Sequence, residues 1–440
     1  MFPLFSFFNL QAVKFKDVID RSLGALAKPI SVGKENHRFD IKFSGLFSLE
    51  SFYDSRQIAG SFQDDYMRFP LPVREDPRGL DINDKDQFNM IGVMVYATTD
   101  IKGPEIFGAE TSAKIEARFS GVNDATIRLF RLNKGYAQFA WPRTVLMLGH
   151  MYHPIARDVL LTGDSFYPGV VSRYRGRKYD PFEYVAQARL RHRYREFEIM
   201  VALTKHYKNI MARRAVFPDL FLQFTADIKD HVLGFGFDYH VEVPRLETEL
   251  GFKNTQQIGS LHAYGLALFK LYPFKIKTRV IYSENGQIFD LIGAYAVECL
   301  NPVTDERSYV NLRAVNFWFD FTYEGAKRVE PGLFVGVTKN IGAPRNIVKK
   351  YDVDHETEIS LLEVDGALTN LNNMFIIAPR LRLRWGPFML GGEIEYVRAA
   401  FAKRNFDEDG WENDFDSRAR VVNTRPVSNT RFLVATRYFF

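Results

Sequence analysis

The residues of this chain best placed to do chemistry are bases spaced two apart. Arg189, Arg191 and Arg193 lie in one segment, Lys275, Lys277 and Arg279 in a second, and Arg380, Arg382 and Arg384 in a third, with Arg431 and Arg437 near the end. This spacing puts each set on one face of a β-strand, because successive side chains point to opposite sides. The alternate positions are apolar or small: Tyr184, Ala186, Ala188 and Leu190, then Phe274, Ile276 and Val280, then Leu381, Leu383 and Trp385. Such strands need water on one side and a dry medium on the other. If that medium is a bilayer, an Arg facing lipid costs roughly 2 to 4 kcal/mol at the midplane, so the bases are expected to line a lumen. Glu196 and Glu198 stand across a hairpin from the first ladder, and Glu393 and Glu395 stand beside the third. Cross-strand ion pairs should form. Two readings stay open: the charges neutralise and stiffen a wet wall, or a surplus of bases selects anions.

Other chemistry finds little support. Histidines 150, 153, 192, 206, 231, 240 and 262 occur singly on different segments, and the His-Asp-Ser-Asn-Gly arrangement of outer-membrane phospholipases is absent. No catalytic residue is expected. Asp352, Asp354, His355 and Glu356 read as a solvated acidic loop, not as a metal centre. Cys299 is the one cysteine, which excludes an intramolecular disulfide and a Cys-based zinc site. The net charge of +5 over 440 residues, with no run of like charge, gives no nucleic-acid partner. Neither a cofactor nor a metal is expected.

The elements that must carry the ladders follow from composition and period. The chain is 46% hydrophobic and 15% aromatic, with 40 Phe and 21 Tyr, yet 25% charged. Membrane helices need nearly continuous apolar runs of roughly 20 residues, and stretches such as Ile91 to Ala97 are far shorter. A β-barrel instead satisfies its backbone between strands and can alternate apolar and polar side chains. About 16 strand-period segments can be counted. Phe39 to Tyr53 is the first, with Phe39, Ile41, Phe43, Phe47 and Leu49 on one face and Asp40, Lys42, Ser44, Ser48 and Glu50 on the other. Others start near Phe88, Phe107, Ala125, Arg143, Phe182, Leu220, Val232, Gly259, Phe274, Tyr309, Leu333, Phe375, Phe388 and Asn429, the Phe182 to His206 stretch being a two-strand hairpin. Tight turns at Trp141-Pro142-Arg143, Ile228-Lys229-Asp230, Tyr272-Pro273-Phe274 and Trp385-Gly386-Pro387-Phe388 contrast with long polar links. Those links start at Asp54, His153, Asn285, Asn340 and Ala402. Short aromatic-flanked turns on one rim and long loops on the other describe an outer-membrane barrel with periplasmic turns and extracellular loops.

Residues 1–37 lack strand alternation and are set apart from the barrel at 38–440. Within them Val18, Ile19, Leu23 and Leu26 have helical spacing, so a short periplasmic or plugging helix is expected. Phe2 to Leu10 has neither a basic n-region nor a small-residue cleavage site, so an export signal is expected to have been removed or replaced at this start.

The last twelve residues, Asn-Thr-Arg-Phe-Leu-Val-Ala-Thr-Arg-Tyr-Phe-Phe, put Phe432, Val434, Tyr438 and Phe440 on one face. This resembles the closing strand of outer-membrane proteins, whose final aromatic is recognised by the barrel-assembly machinery. The resemblance makes Tyr438 and Phe440 an assembly signal. The order of segments from Lys114 to His206 looks like that of trimeric general porins and DcaP-like porins, whose connection between the fifth and sixth strands folds inward and narrows the pore. The resemblance makes His153 to Pro181 that connection, with Asp158, Asp164, Arg173, Arg175, Arg177, Lys178 and Asp180 setting a constriction, and it implies a homotrimer; the residues themselves leave an exposed basic loop open as the alternative. The N-terminal coiled coil of DcaP-like members is missing.

The sequence thus reads as an all-β transmembrane antiparallel barrel in the outer membrane of a Gram-negative bacterium. It is expected to meet membrane lipid and lipopolysaccharide and to pass small polar solutes, anions among them, through a mildly anion-preferring pore. The alternative is a barrel plugged by its own loops or by Phe2 to Gly33, serving a secretion, uptake or assembly complex.

Overall fold

The computed structural model describes residues 30–32, 39–61, 66–119, 129–156, 179–206, 209–352, 357–362, 364–365, 368–404 and 410–440. Among them, sixteen strands pair antiparallel, each with its chain neighbours, and the first pairs with the last. The early strands are β1 (Phe39–Asp54), β2 (Gln87–Lys102), β3 (Glu110–Phe119), β4 (Phe130–Ala140), β5 (Thr144–Tyr152), β6 (Tyr184–Tyr194), β7 (Phe197–Lys205) and β8 (Asp219–Ile228). The ring continues with β9 (His231–Glu242), β10 (Ile258–Leu271), β11 (Phe274–Glu284), β12 (Arg313–Tyr323), β13 (Val329–Gly342), β14 (Leu371–Trp385), β15 (Phe388–Ala402) and β16 (Thr424–Phe439). A short strand, Ile30–Val32, adds to β1, pairing Ile30 with Ile41. The expected N-terminal helix lies outside the described residues. No described helix is long and apolar enough to cross a membrane.

Period-2 alternation decides which side each residue faces. On β1, Phe43, Phe47 and Leu49 are exposed outside while Ser44, Ser48, Glu50 and Asp54 are buried inside. On β9, Leu233, Phe235, Phe237 and Tyr239 point out, and Val232, Asp238, His240 and Glu242 point in. The outer face is therefore an apolar band and the inner face is rich in charge.

Links alternate in length around the ring. The two-residue turns after β6, β8, β10 and β14 open at one rim, together with the links after β2, β4 and β12. Lys229 and Asp230 both have positive φ, 50° and 71°, as in a type I′ hairpin whose twist matches that of the strands. Exposed aromatics mark this rim, among them Tyr194, Phe197, Tyr272, Trp385 and Phe388. The five long links read from the sequence open at the opposite rim, joined by those after β3, β7 and β9. There Ala294, Val310, Leu312, Ile347, Phe415 and Val421 make a small core of their own. Burial raises the pKa of Asp305 in this rim, but the Arg245 guanidinium, the Glu249 N–H and Arg307 together hold its carboxyl below the usual range.

Several strand limits differ from the sequence reading. β13 starts four residues before Leu333, through Pro331, and β16 starts five before Asn429, through Pro426. Each of these prolines lies where its strand has one neighbour. Pro331 pairs with Leu381 of β14 beyond the end of the β12 pairing, and Pro426 pairs with Ala400 of β15 beyond the end of the β1 pairing. A missing N–H is tolerated on such an edge. The segment from Tyr309 is divided: Glu306–Asn311 belongs to a separate three-stranded loop sheet, and β12 begins at Arg313.

Two contacts fasten the seam between β1 and β16. Arg431 sits opposite Asp54 and holds it with two bonds of 2.8 Å, both side chains buried. Phe440 exchanges backbone hydrogen bonds with Gly45, at 2.7 and 3.1 Å, and its ring covers that glycine. A Cβ at position 45 would meet the ring and push it aside, so glycine lets the ring lie flat on the β1 backbone.

Candidate functional site: the barrel lumen

The three ladders project inward, and besides the expected Glu198 the barrel supplies acids that sequence reasoning did not assign to them. On β6, Arg191 meets Glu198 at 2.8 Å, Arg193 approaches Asp227 at 3.7 Å, and Arg189 bonds the Gln187 amide and the Tyr152 carbonyl, each at 2.9 Å. On β11, Lys275 lies 3.5 Å from Glu324, Lys277 is buried, and Arg279 bonds Asp180 at 3.0 Å while stacking on Tyr264. On β14, Arg380 is fully buried and holds Asp320 at 2.8 Å and Thr322 at 2.7 Å. Arg382 and Arg384 share Glu330. Glu393 lies directly across from Arg380, and both Glu393 and Glu395 are buried. Arg437 pairs with Glu50 at 2.9 Å. Asp320 was legible in principle, since an acid between Phe319 and Phe321 must occupy the polar face. Asp180 was read on the inward-folding connection, but its partners Arg279 and Trp318 were not legible, because a loop has no register with the wall.

Tyr184 departs from its expected lipid-facing position. It is buried, stacked on Tyr152 with ring centres 4.2 Å apart and with a hydroxyl bond of 2.6 Å. The strand end is covered by neighbouring aromatics, among them Phe182.

Loops enter the lumen from the long-loop rim. The connection after β5 is described at its two ends, 153–156 and 179–183; Asp158, Asp164, Arg173, Arg175, Arg177 and Lys178 lie outside the described residues. Those ends reach the far wall. Asp180 accepts from Arg279 of β11 at 3.0 Å and from the Trp318 indole of β12 at 2.9 Å. The Ile155 carbonyl accepts from Arg279 at 2.6 Å, and Tyr179 packs on Phe334 of β13. A second lobe, the turn Gly286–Phe289 with Leu291 and Ile292, joins them in a buried cluster with Met200, Phe221, Trp318 and Ile376. The interior is thus packed on the side of β7 to β15.

Solved structures with the same architecture include the outer membrane channel DcaP of Acinetobacter baumannii. It matches with a TM-score of 0.64, over 91% of this chain and 97% of that one, at 12% identity. Salmonella typhi OmpF, solved with daunomycin, matches at 0.51 over 93% and 100%, with 10% identity. The fold is that of an outer-membrane porin. OmpT of Vibrio cholerae, expressed in the outer membrane, matches at 0.51 over 93% and 100%, with 8% identity. No family model matches the chain, and no curated protein matches it in sequence.

The porin-like ring also gathers histidines that are far apart in sequence. His153, His206, His240 and His262 are all buried around the ring of Phe289, at centroid distances of 4.8, 5.3, 6.1 and 4.7 Å. Sequence reasoning took the histidines as solitary because no local motif joins them. Barrel register does so: Asp238 lies opposite His262, and His240 follows two positions later on the same face.

Proposed function

We propose that this chain is a channel in the outer membrane of a Gram-negative bacterium, passing small polar solutes by passive diffusion and catalysing no reaction. The observation that carries this reading is the sorting of side chains on a closed ring, apolar outside and charged inside. A membrane barrel has this arrangement, and a soluble sandwich has no use for it. Membrane lipid and lipopolysaccharide would surround the apolar band, and the fold is compatible with a homotrimer. Any anion preference should be mild, because Arg191, Arg279, Arg380, Arg431 and Arg437 each hold an acid. The buried packing on one side of the lumen favours a second reading, a barrel plugged for an assembly or uptake role.

Planar bilayers separate the two. Purified protein is expected to give discrete conductance steps and a small zero-current potential of anionic sign across a salt gradient. That potential should fade as salt rises, since the Debye length shrinks from about 30 Å at 0.01 M to about 3 Å at 1 M. Protein that never conducts would leave the plugged scaffold, and strong cation selectivity would discard the anionic preference.

We also propose the barrel-assembly machinery as a partner, reading the outward Tyr438 and Phe440. Deleting Phe440 should reduce folded barrel in the outer membrane with synthesis and export unchanged, while refolding into detergent proceeds at nearly the normal rate. An equal loss in detergent would mean that Phe440 acts through the seam with Gly45 alone.

A further inference from the structure

We infer that Asp238, His240 and His262 form a binding site for one divalent transition-metal ion of the zinc or cobalt class. One ligand atom from each lies within 4.8 Å of the others, and all three residues are fully buried. Both carboxylate oxygens of Asp238 and all four ring nitrogens of the two histidines lack a hydrogen bond of acceptable geometry. Buried polar atoms are normally paired, so an orphaned ligand atom on each of three residues, all within reach of one another, calls for a common partner. Their chemistry selects it. Two imidazoles and one carboxylate suit a borderline divalent ion, whereas calcium and magnesium prefer all-oxygen shells.

The surroundings complete the design. Backbone register fixes the three donors, since Asp238 and His262 face each other across β9 and β10. His153 Nδ1 accepts the Ile155 N–H at 3.2 Å, which leaves the proton on Nε2. That nitrogen lies 3.3 Å from Asp238 Oδ1 and 3.1 Å from the Thr204 hydroxyl. His153 is therefore a positioning residue that orients the ligand carboxylate. Phe289 shields His262 from water. Bonds of about 2.0–2.2 Å draw the ligand atoms closer together, a change that small side-chain rotations supply. Three protein ligands leave a coordination position open.

The test uses untagged, folded, full-length protein in detergent, stripped with chelator and titrated with cobalt chloride. One equivalent should bind per chain with visible d–d absorption, and zinc should displace it. Asp238→Asn and His262→Gln should each abolish the band. His153→Gln should weaken affinity by about 10- to 100-fold, as an orienting residue would. His192→Gln, away from the cluster, should change nothing. Gel migration of the folded barrel checks each variant, and the zinc content of wild-type protein from zinc-fed cells, near one per chain, stands independently of any variant. Wild type that takes up neither metal, or folded Asp238→Asn and His262→Gln variants that bind like wild type, would overturn the assignment.

Discussion

Replacing Asp180 by Ala is expected to destabilise the barrel by about 3–5 kcal/mol and to raise its conductance. The first effect follows from burial. Asp180 and Arg279 are 2% and 3% exposed at their side chains, and removing one partner leaves the other charged and uncompensated. The Trp318 indole loses its acceptor at the same time. The second effect follows from position, because Asp180 ties the connection after β5 to the far wall of the lumen. Once it is cut, that connection should spend more time away from the wall, and the passage should widen. Thermal or denaturant unfolding in detergent reads the stability, and single-channel recording reads the conductance. The double variant Asp180→Ala with Arg279→Met removes the stranded charge, so it should regain much of the stability while keeping the higher conductance. Unchanged conductance in both variants would show that the tie does not govern the passage.

The same residues show what the sequence could reveal. Ladder orientation on β6, β11 and β14 was legible because a period of two has only two solutions, and three bases cannot face an apolar medium. Strand number followed from the same rule. Strand limits at Pro331 and Pro426 were hidden, since whether a proline is tolerated depends on how far the neighbouring strand extends. Charge balance was hidden for a related reason. Asp54 meets Arg431 at a residue separation of 377, and Asp180 meets Arg279 at 99. No local pattern contains such pairs. The histidine cluster was hidden most completely, because His153, His206, His240 and His262 are brought together only when the ring closes and a loop turns inward.

That hidden pairing changes what an arginine substitution should do. From the ladder alone, Arg380, Arg382 and Arg384 look interchangeable, three bases on one wall. In the fold they differ. Arg380 is 0% exposed at its side chain and reaches both oxygens of Asp320, at 2.8 and 3.2 Å, as well as the Phe321 carbonyl at 3.2 Å. Arg384 is 48% exposed and lies 3.5 Å from Glu330. Arg380→Gln should therefore cost about 3–5 kcal/mol, because a buried carboxylate is stranded, while Arg384→Gln should cost less than about 1 kcal/mol, as exposed ion pairs do. Both remove one positive charge from the wall, so both should move the zero-current potential toward cations at low salt. Adding Asp320→Asn to Arg380→Gln removes the stranded charge, restores most of the lost stability and returns the potential toward the wild-type value. Equal stability losses for Arg380→Gln and Arg384→Gln in denaturant titrations would mean that burial does not separate the two. A double variant no more stable than Arg380→Gln would mean that the cost is packing and not charge.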